Sequence, residues 1–145
     1  MNRITARSLF GGIGVVLLLF GCSEGGGMRI GTVEFGEFVY SGDVDGDYLV
    51  RQLIQLDPPF QACYVRVKQQ NPPPEGQIDL ELQGGGGRMT GQVTSNTTGS
   101  EELGECLIGA IEGLTIIEPV ETAPWNYTAD WSVTFALVRR PGRDN

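Results

Sequence analysis

Residues 77–95 read QIDLELQGGGGRMTGQVTS and carry the clearest structural pattern in the chain. Apolar and polar residues alternate from Gln77 to Gln83, which is typical of a strand with one buried face. The four glycines at 84–87 supply the positive φ angles that a tight hairpin turn requires. The returning segment, residues 88–95, has the composition of a second strand. The sequence therefore predicts an antiparallel β-hairpin here.

A helical repeat of apolar residues precedes the hairpin. Its members recur every three or four residues, as on the buried face of an amphipathic helix: Leu49, Leu53, Leu56, Phe60, Cys63 and Val67. Asp45 or Asp47 is expected to cap this helix, because an aspartate oxygen accepts from the free N–H groups of the first turn. Pro58 and Pro59 interrupt the repeat, and a proline inside a helix removes one hydrogen bond. We expect either a kink or two helices, with Asp57 capping the second.

A second helix is predicted after the hairpin. Ser100, Glu101 and Glu102 open it, and acidic side chains are favourable at the positive end of a helix dipole. The apolar positions that follow share one face: Leu103, Cys106, Leu107, Ala110, Ile111 and Leu114. Glycines such as Gly104 and Gly109 weaken this helix by about 1 kcal/mol each relative to alanine.

Extended segments are predicted at both ends of the folded part. Residues 28–40 are rich in β-branched and aromatic side chains and indicate one or two strands. Residues 131–138 (WSVTFALV) are the most strand-prone run of the chain. The element order is then β-α-β-β-α-β. The predicted fold class is α+β, with two layers: two helices on one face of a small antiparallel sheet.

The N-terminal residues have the pattern of a bacterial lipoprotein signal. Residues 1–21 contain two arginines followed by a 12-residue apolar stretch, which is shorter than the roughly 20 residues that a membrane-spanning helix needs. Leu19 to Cys22 resembles the lipobox, in which the cysteine is lipidated. Ser23 then favours the periplasmic face of the outer membrane. The alternative is an ordinary signal peptide with Cys22 as an unmodified thiol.

These features divide the chain into four parts. Residues 1–21 are the predicted signal peptide and 22–27 a glycine-rich tether. Residues 28–140 are the predicted globular domain and 141–145 a tail.

Composition excludes several functions. The chain has no histidine, so catalytic pairs and zinc sites that depend on imidazole are ruled out. Its formal net charge of −8 argues against nucleic acid as a partner, because phosphate contacts require clustered cations. We expect no enzymatic activity, no cofactor and no metal site.

Two groups of acidic residues are candidate sites. Residues 43–47 contain three aspartates, but the glycine and glutamate positions of a calcium-binding loop hold Tyr48 and Ile54. A turn with capping acids is the better interpretation. Four carboxylates on predicted strands are interpreted as a solvated face rather than as a glycosidase pair: Glu34, Glu37, Asp79 and Glu81.

The order of motifs along the chain resembles the AgmX/PglI C-terminal domain, a relative of the TonB C-terminal domain. The matching positions run from a glycine before the first helix to a proline after the second: Gly42, Cys63-Tyr64, Asn71-Pro72, Gly76, Gly87-Arg88-Met89, Ser95 to Thr98, Cys106, Ile117 and Pro119. The resemblance covers Val33 to Val138. It implies a non-catalytic protein-interaction or scaffolding domain, linked to motility or TonB-type envelope systems, with a membrane anchor and another envelope protein as partners.

The resemblance also implies a disulfide between Cys63 and Cys106, since the two cysteines of that family are expected to pair. Both residues lie on predicted buried faces, and a signal peptide delivers them to an oxidising compartment. Two reduced core thiols are the alternative, because free cysteine is among the most buried residue types.

A group of aromatic residues leaves a second function open. Trp125, Tyr127 and Trp131 form either a lid over the core or a binding platform for peptidoglycan or a small solute. A purely structural lipoprotein is a third hypothesis. TonB-type domains accept a partner peptide at a sheet edge, so strand addition is expected if residues 131–138 lie at one.

Overall fold

A computed structural model describes residues 29–139, which contain four strands and three α-helices. The strands are β1 (Arg29–Asp43), β2 (Gly76–Gly85), β3 (Arg88–Asn96) and β4 (Asn126–Arg139). The helices are α1 (Gly46–Leu53), α2 (Asp57–Val67) and α3 (Glu101–Glu112), and a 3-10 turn (Ile54–Leu56) joins the first two. The predicted fold class and element order are confirmed, with α1 and α2 together in the place of the first predicted helix.

Several predictions concern parts of the chain outside the described residues. These are the signal peptide (1–21), the lipidation residue Cys22, the tether (22–27) and the tail (141–145).

The first helical segment buries the whole predicted apolar face. Its six members are each 4% exposed or less: Leu49, Leu53, Leu56, Phe60, Cys63 and Val67. Asp45 caps α1, since its side chain accepts from the N–H of Tyr48 at 3.0 Å. The prediction that Asp57 caps the second helix is wrong: Asp57 is the first residue of α2, and Leu56 stands at the cap position. The 3-10 turn keeps the chain helical, so there is no extended residue before α2 where a cap would form.

The hairpin forms as predicted. Gly86 and Gly87 make a two-residue loop with φ angles of 59° and 75°, the left-handed values of a type I′ turn. Gly85 pairs with Arg88 at the end of the ladder, and Leu82 pairs with Gly91 further along. The second helix also starts as predicted, because the Ser100 hydroxyl accepts from the N–H of Leu103.

The sheet has the strand order β1-β4-β2-β3, and every neighbouring pair is antiparallel. The last strand is therefore interior. Ala129, for example, is opposite Tyr40 on one side and Leu82 on the other. The hypothesis of an edge at residues 131–138 is wrong, because β4 inserts between the first strand and the hairpin. The edges of the sheet are β1 and β3.

The two faces of the sheet differ in polarity. The helix-covered face carries the core, including Ile78, Leu80 and Phe135, none more than 1% exposed. The opposite face carries the alternate residues of each strand, which are mainly threonine, serine, glutamine and acids. Its central strands bring Glu81 directly opposite Asp130.

Candidate functional site

A disulfide joins the two helical segments above the sheet. Cys63 in α2 and Cys106 in α3 are bonded with a Cα–Cα distance of 5.8 Å, across 43 residues of sequence. The guanidinium of Arg66 lies beside this bridge, 3.7 Å from the Cys106 Sγ and 3.6 Å from a Glu102 carboxylate oxygen. The Arg66–Glu102 pair is exposed, so it adds little stability. The disulfide is a covalent tie between α2 and α3.

The three aromatic residues of the alternative binding platform are buried. Trp125 is fully buried, and its indole N–H donates to the Thr122 hydroxyl at 3.0 Å. Trp131 stacks on Phe35 with ring centroids 5.0 Å apart. Tyr127 is 5% exposed. None of these rings offers the open face that a glycan or peptide would stack on, since all three are part of the hydrophobic core.

Tyr127 packs against glycines on both neighbouring strands. It is opposite Gly42 in β1 and Gly84 in β2. A Cβ placed on Gly84 would lie 1.9 Å from the Tyr127 ring, so a side chain there is excluded. The phenol has no hydrogen-bond partner. Burial, and to a smaller extent the charge of Glu118, raises the pKa of Tyr127 to about 12.

Tyr64 occupies a comparable position near the other end of the sheet. Its hydroxyl donates to the carbonyl oxygen of Pro74 at 3.0 Å. Burial, and then the charge of Glu75, raises the pKa of Tyr64 to about 12. The two tyrosines thus differ in hydrogen bonding more than in environment.

The connection between α3 and β4 is held by a polar clamp that the sequence pattern did not reveal. The Gln52 amide donates to the carbonyl of Ile117 at 2.8 Å and accepts from its N–H at 2.6 Å. The Glu118 carboxylate accepts from the N–H of Gly87 at 2.8 Å. These bonds leave the side chains of Ile117 and Val120 67% and 94% exposed. In the sequence, the one sign of these bonds is a glutamine, Gln52, between the buried Leu49 and Leu53. The sequence does not show its partner, Ile117, which lies 65 residues away.

The two edge strands are protected to different degrees. Both edge strands have a register shift, β1 between Phe35 and Phe38 and β3 at Thr94, and such a bulge discourages pairing with another chain. β1 also carries the exposed acids Glu34 and Glu37. β3 carries neither a charged residue nor a proline from Met89 to Asn96. Residues 92–95 of β3 are exposed, although a methyl group of Val93 lies close to Gly104 of α3. β3 is therefore the more accessible edge.

The main-chain groups of β3 alternate in direction. In a two-residue hairpin the closing pair, here Gly85 and Arg88, is hydrogen-bonded. Hydrogen-bonded and non-bonded pairs then alternate along an antiparallel ladder. By this rule the N–H and C=O groups of Gly91 and Val93 are directed away from β2, towards the free edge.

The acidic residues predicted to be solvated lie on the surface. Glu34 and Glu37 are exposed, and Asp79 and Glu81 are partly exposed on the open face of the sheet. Within residues 29–139, no three His, Cys, Asp or Glu side chains are placed to share a metal ion. In the same part of the chain, no helix has the length and hydropathy to span a bilayer.

The geometry defines a class of protein: a two-layer α+β domain, tied by one disulfide, with a polar open face and an accessible edge strand. No protein-family model, curated protein or solved structure matches the chain. The resemblance to the AgmX/PglI C-terminal domain therefore stays a prediction that depends on the residues alone.

Proposed function

We propose that this chain is a lipid-anchored envelope protein whose globular part is a non-catalytic protein-interaction or scaffolding domain of the AgmX/PglI type. In this proposal Cys22 carries the lipid, the anchor holds the protein at the periplasmic face of the outer membrane, and the partner is another envelope protein. The disulfide between Cys63 and Cys106 supports an extracytoplasmic location, since such bonds persist in oxidising compartments.

The accessible edge of β3 is the observation that carries the proposed interaction. A partner that adds an extended segment there gains main-chain hydrogen bonds from Gly91 and Val93 and side-chain contacts with the exposed positions around them. The absence of charge and proline along this edge removes two of the usual obstacles to strand addition. The register shift at Thr94 limits the regular edge to the residues before it, which include Gly91 and Val93.

A pair of substitutions tests strand addition. Val93→Pro removes an N–H from the free edge while leaving the hydrogen bonds to β2, whereas Val93→Ala shortens the same half-exposed side chain and keeps that N–H. We expect the proline variant to lose partner binding at least ten-fold and the alanine variant to keep it.

Crosslinking in living cells provides the readout. A photo-reactive amino acid at Thr94, on the β3 edge, is compared with the same group at Thr128, on the open face of β4. We expect a discrete protein adduct from position 94 that the Val93→Pro change abolishes. An adduct that survives this change, or none at position 94, would contradict strand addition at this edge.

A further inference from the structure

The outer side of α3 lies beside the free edge of β3. A Cβ on Gly104 would lie 3.2 Å from a Val93 methyl group, and a Cβ on Gly91 would lie 3.2 Å from the Cδ1 of Ile108. The other side of α3 faces α2, to which Cys106 is bonded. Because β3 is the last strand on its side of the sheet, the outer side of α3 borders the free edge.

The outer side of α3 is acidic. Residues three or four apart share one side of a helix, and those that share this side are Glu101, Glu105, Ile108 and Glu112. The three glutamates are exposed, and none of them makes a salt bridge within residues 29–139. α3 itself contains no lysine or arginine. We call these three glutamates the acidic flank.

The open face of the sheet is acidic beside the same edge. Glu81 of β2 lies opposite Asp130 and accepts from the side-chain amide of Gln92 at 3.1 Å. The amide is neutral, so the carboxylate keeps its charge. Arg88, at the hairpin turn, is the one cation in β2 and β3. A strand added to β3 would therefore meet carboxylates with the side chains of both its faces.

This distribution of charge disfavours a second copy of the chain as the added strand. Two β3 edges joined antiparallel would place the helices of both copies on the same face of one continuous sheet. The two acidic flanks would then face each other, and like charges across an interface are unfavourable. A cationic segment is attracted by the same carboxylates.

We infer that the edge of β3 prefers an extended segment with lysine or arginine at alternate positions. This inference rests on the proposed function, strand addition at β3. Residues of the segment that pair with Gly91 and Val93 point to the helix side of the sheet, as those two positions do. There a long basic side chain can pack its methylene groups against Val93 and Ile108 and place its charge at the acidic flank. Main-chain hydrogen bonds supply the pairing, and the charges supply the selectivity.

Two peptides of opposite charge test this selectivity. The probes are TKVKVKT and TEVEVET, blocked at both termini and labelled with fluorescein. Their affinity for the protein purified from its own cells is measured by fluorescence anisotropy. An exposed charge pair is worth roughly two- to five-fold in affinity, so at low salt we expect the lysine peptide to bind at least about ten-fold more tightly. About 1 M salt should remove most of this difference, because it screens exposed charges.

Matched variants locate the effect. The test variant removes the acidic flank: Glu101→Gln, Glu105→Gln and Glu112→Gln. It should bind the lysine peptide about ten-fold more weakly than the parent does. The control variant removes the same charge from exposed positions of β1 and α1: Glu34→Gln, Glu37→Gln and Asp47→Asn. It should keep the affinity of the parent.

The Val93→Pro variant separates the charge effect from strand addition, since it keeps the acidic flank and should still lose the lysine peptide. Equal binding of the two peptides, or equal effects of the two triple variants, would overturn the charge selectivity. Strand addition would stand in that case if Val93→Pro abolished binding. Lysine-peptide binding that survives Val93→Pro, or no binding at millimolar concentration, would also overturn the inference. Crosslinking from position 94 in cells reports on strand addition separately.

Discussion

Two buried tyrosines differ in a single hydrogen bond. The Tyr64 hydroxyl has a carbonyl partner on Pro74, while the Tyr127 hydroxyl has none. A buried polar group without a partner loses its hydration and regains nothing, whereas a satisfied one contributes a net stabilisation. The same substitution should therefore have opposite consequences at the two positions.

Tyr127→Phe is expected to leave the free energy of unfolding unchanged or to raise it by up to about 1 kcal/mol. Tyr64→Phe is expected to lower it by about 1 kcal/mol, since the Pro74 carbonyl loses its donor. Urea unfolding of the two variants and the parent provides the comparison. Equal losses in both variants would contradict the assignment of the unpaired hydroxyl to Tyr127.

The same two phenols make stability depend on alkaline pH. Their folded pKa values are about 12, against 10.0 for the free side chain. Above pH 10 the unfolded chain releases these protons while the folded chain retains them, so rising pH favours unfolding. The contribution is fully present below pH 10 and is lost as the pH rises towards 12. The unfolding free energy should fall between about pH 10 and about pH 12, and that of a Tyr64→Phe, Tyr127→Phe double variant should fall less steeply.

At the scale of the element, two glycines of α3 show how packing modifies the effect of helix propensity. Gly109 is exposed, and a Cβ there would meet nothing within 4 Å. Gly104 is buried, and a Cβ there would lie 3.2 Å from a Val93 methyl group. The two glycines thus have the same helix propensity but different room for a side chain.

Gly109→Ala should raise the free energy of unfolding by about 0.5–1 kcal/mol, because alanine loses less backbone entropy on folding. Gly104→Ala should raise the free energy of unfolding by less than this or should lower it, since the added methyl group requires Val93 to shift. Thermal and urea unfolding of both variants tests this. A Gly104→Ala variant at least as stable as Gly109→Ala would show that β3 and α3 are not in close contact.

Local patterns predicted the elements well. The three-and-four spacing identified the buried face of the first helical segment, and the glycine run identified the hairpin turn. The sequence predicted a cap at Asp45 or Asp47, and Asp45 makes it; it also predicted the start of α3 at Ser100, whose hydroxyl makes the cap. Each of these features is decided by interactions between near neighbours in sequence, which the pattern contains.

Long-range pairings were beyond this kind of prediction. The insertion of β4 between β1 and β2 depends on contacts such as Gly42 opposite Tyr127. The Gln52 clamp joins residues 65 positions apart. The burial of Trp125 likewise depends on two side-chain contacts. Its N–H donates to Thr122, and its ring packs edge-to-face against that of Tyr48, with the ring centroids 5.6 Å apart. The composition of the aromatic loop was equally compatible with an exposed platform.

At the scale of the whole molecule, the disulfide closes a long loop. It spans 43 residues and encloses the entire hairpin. Closing a loop of this length removes about 4 kcal/mol of unfolded-chain entropy in the simple polymer treatment. The disulfide offsets the weak helix propensity of the glycine-rich α3.

A Cys63→Ala, Cys106→Ala double variant should lose about 4 kcal/mol of unfolding free energy. Urea unfolding with and without a reductant measures this, and the reduced parent should resemble the double variant. The double variant itself serves as the control, since reductant should not change its stability. A loss below about 1 kcal/mol would mean that the two helices are held by packing alone.

The most direct test of the account is mass spectrometry of the native protein, purified from its own membranes without reductant. We predict a mature chain that begins at a lipid-modified Cys22 and contains a peptide pair crosslinked through Cys63 and Cys106. A chain with an unmodified Cys22 and two alkylatable internal thiols would contradict both the envelope location and the anchored interaction domain.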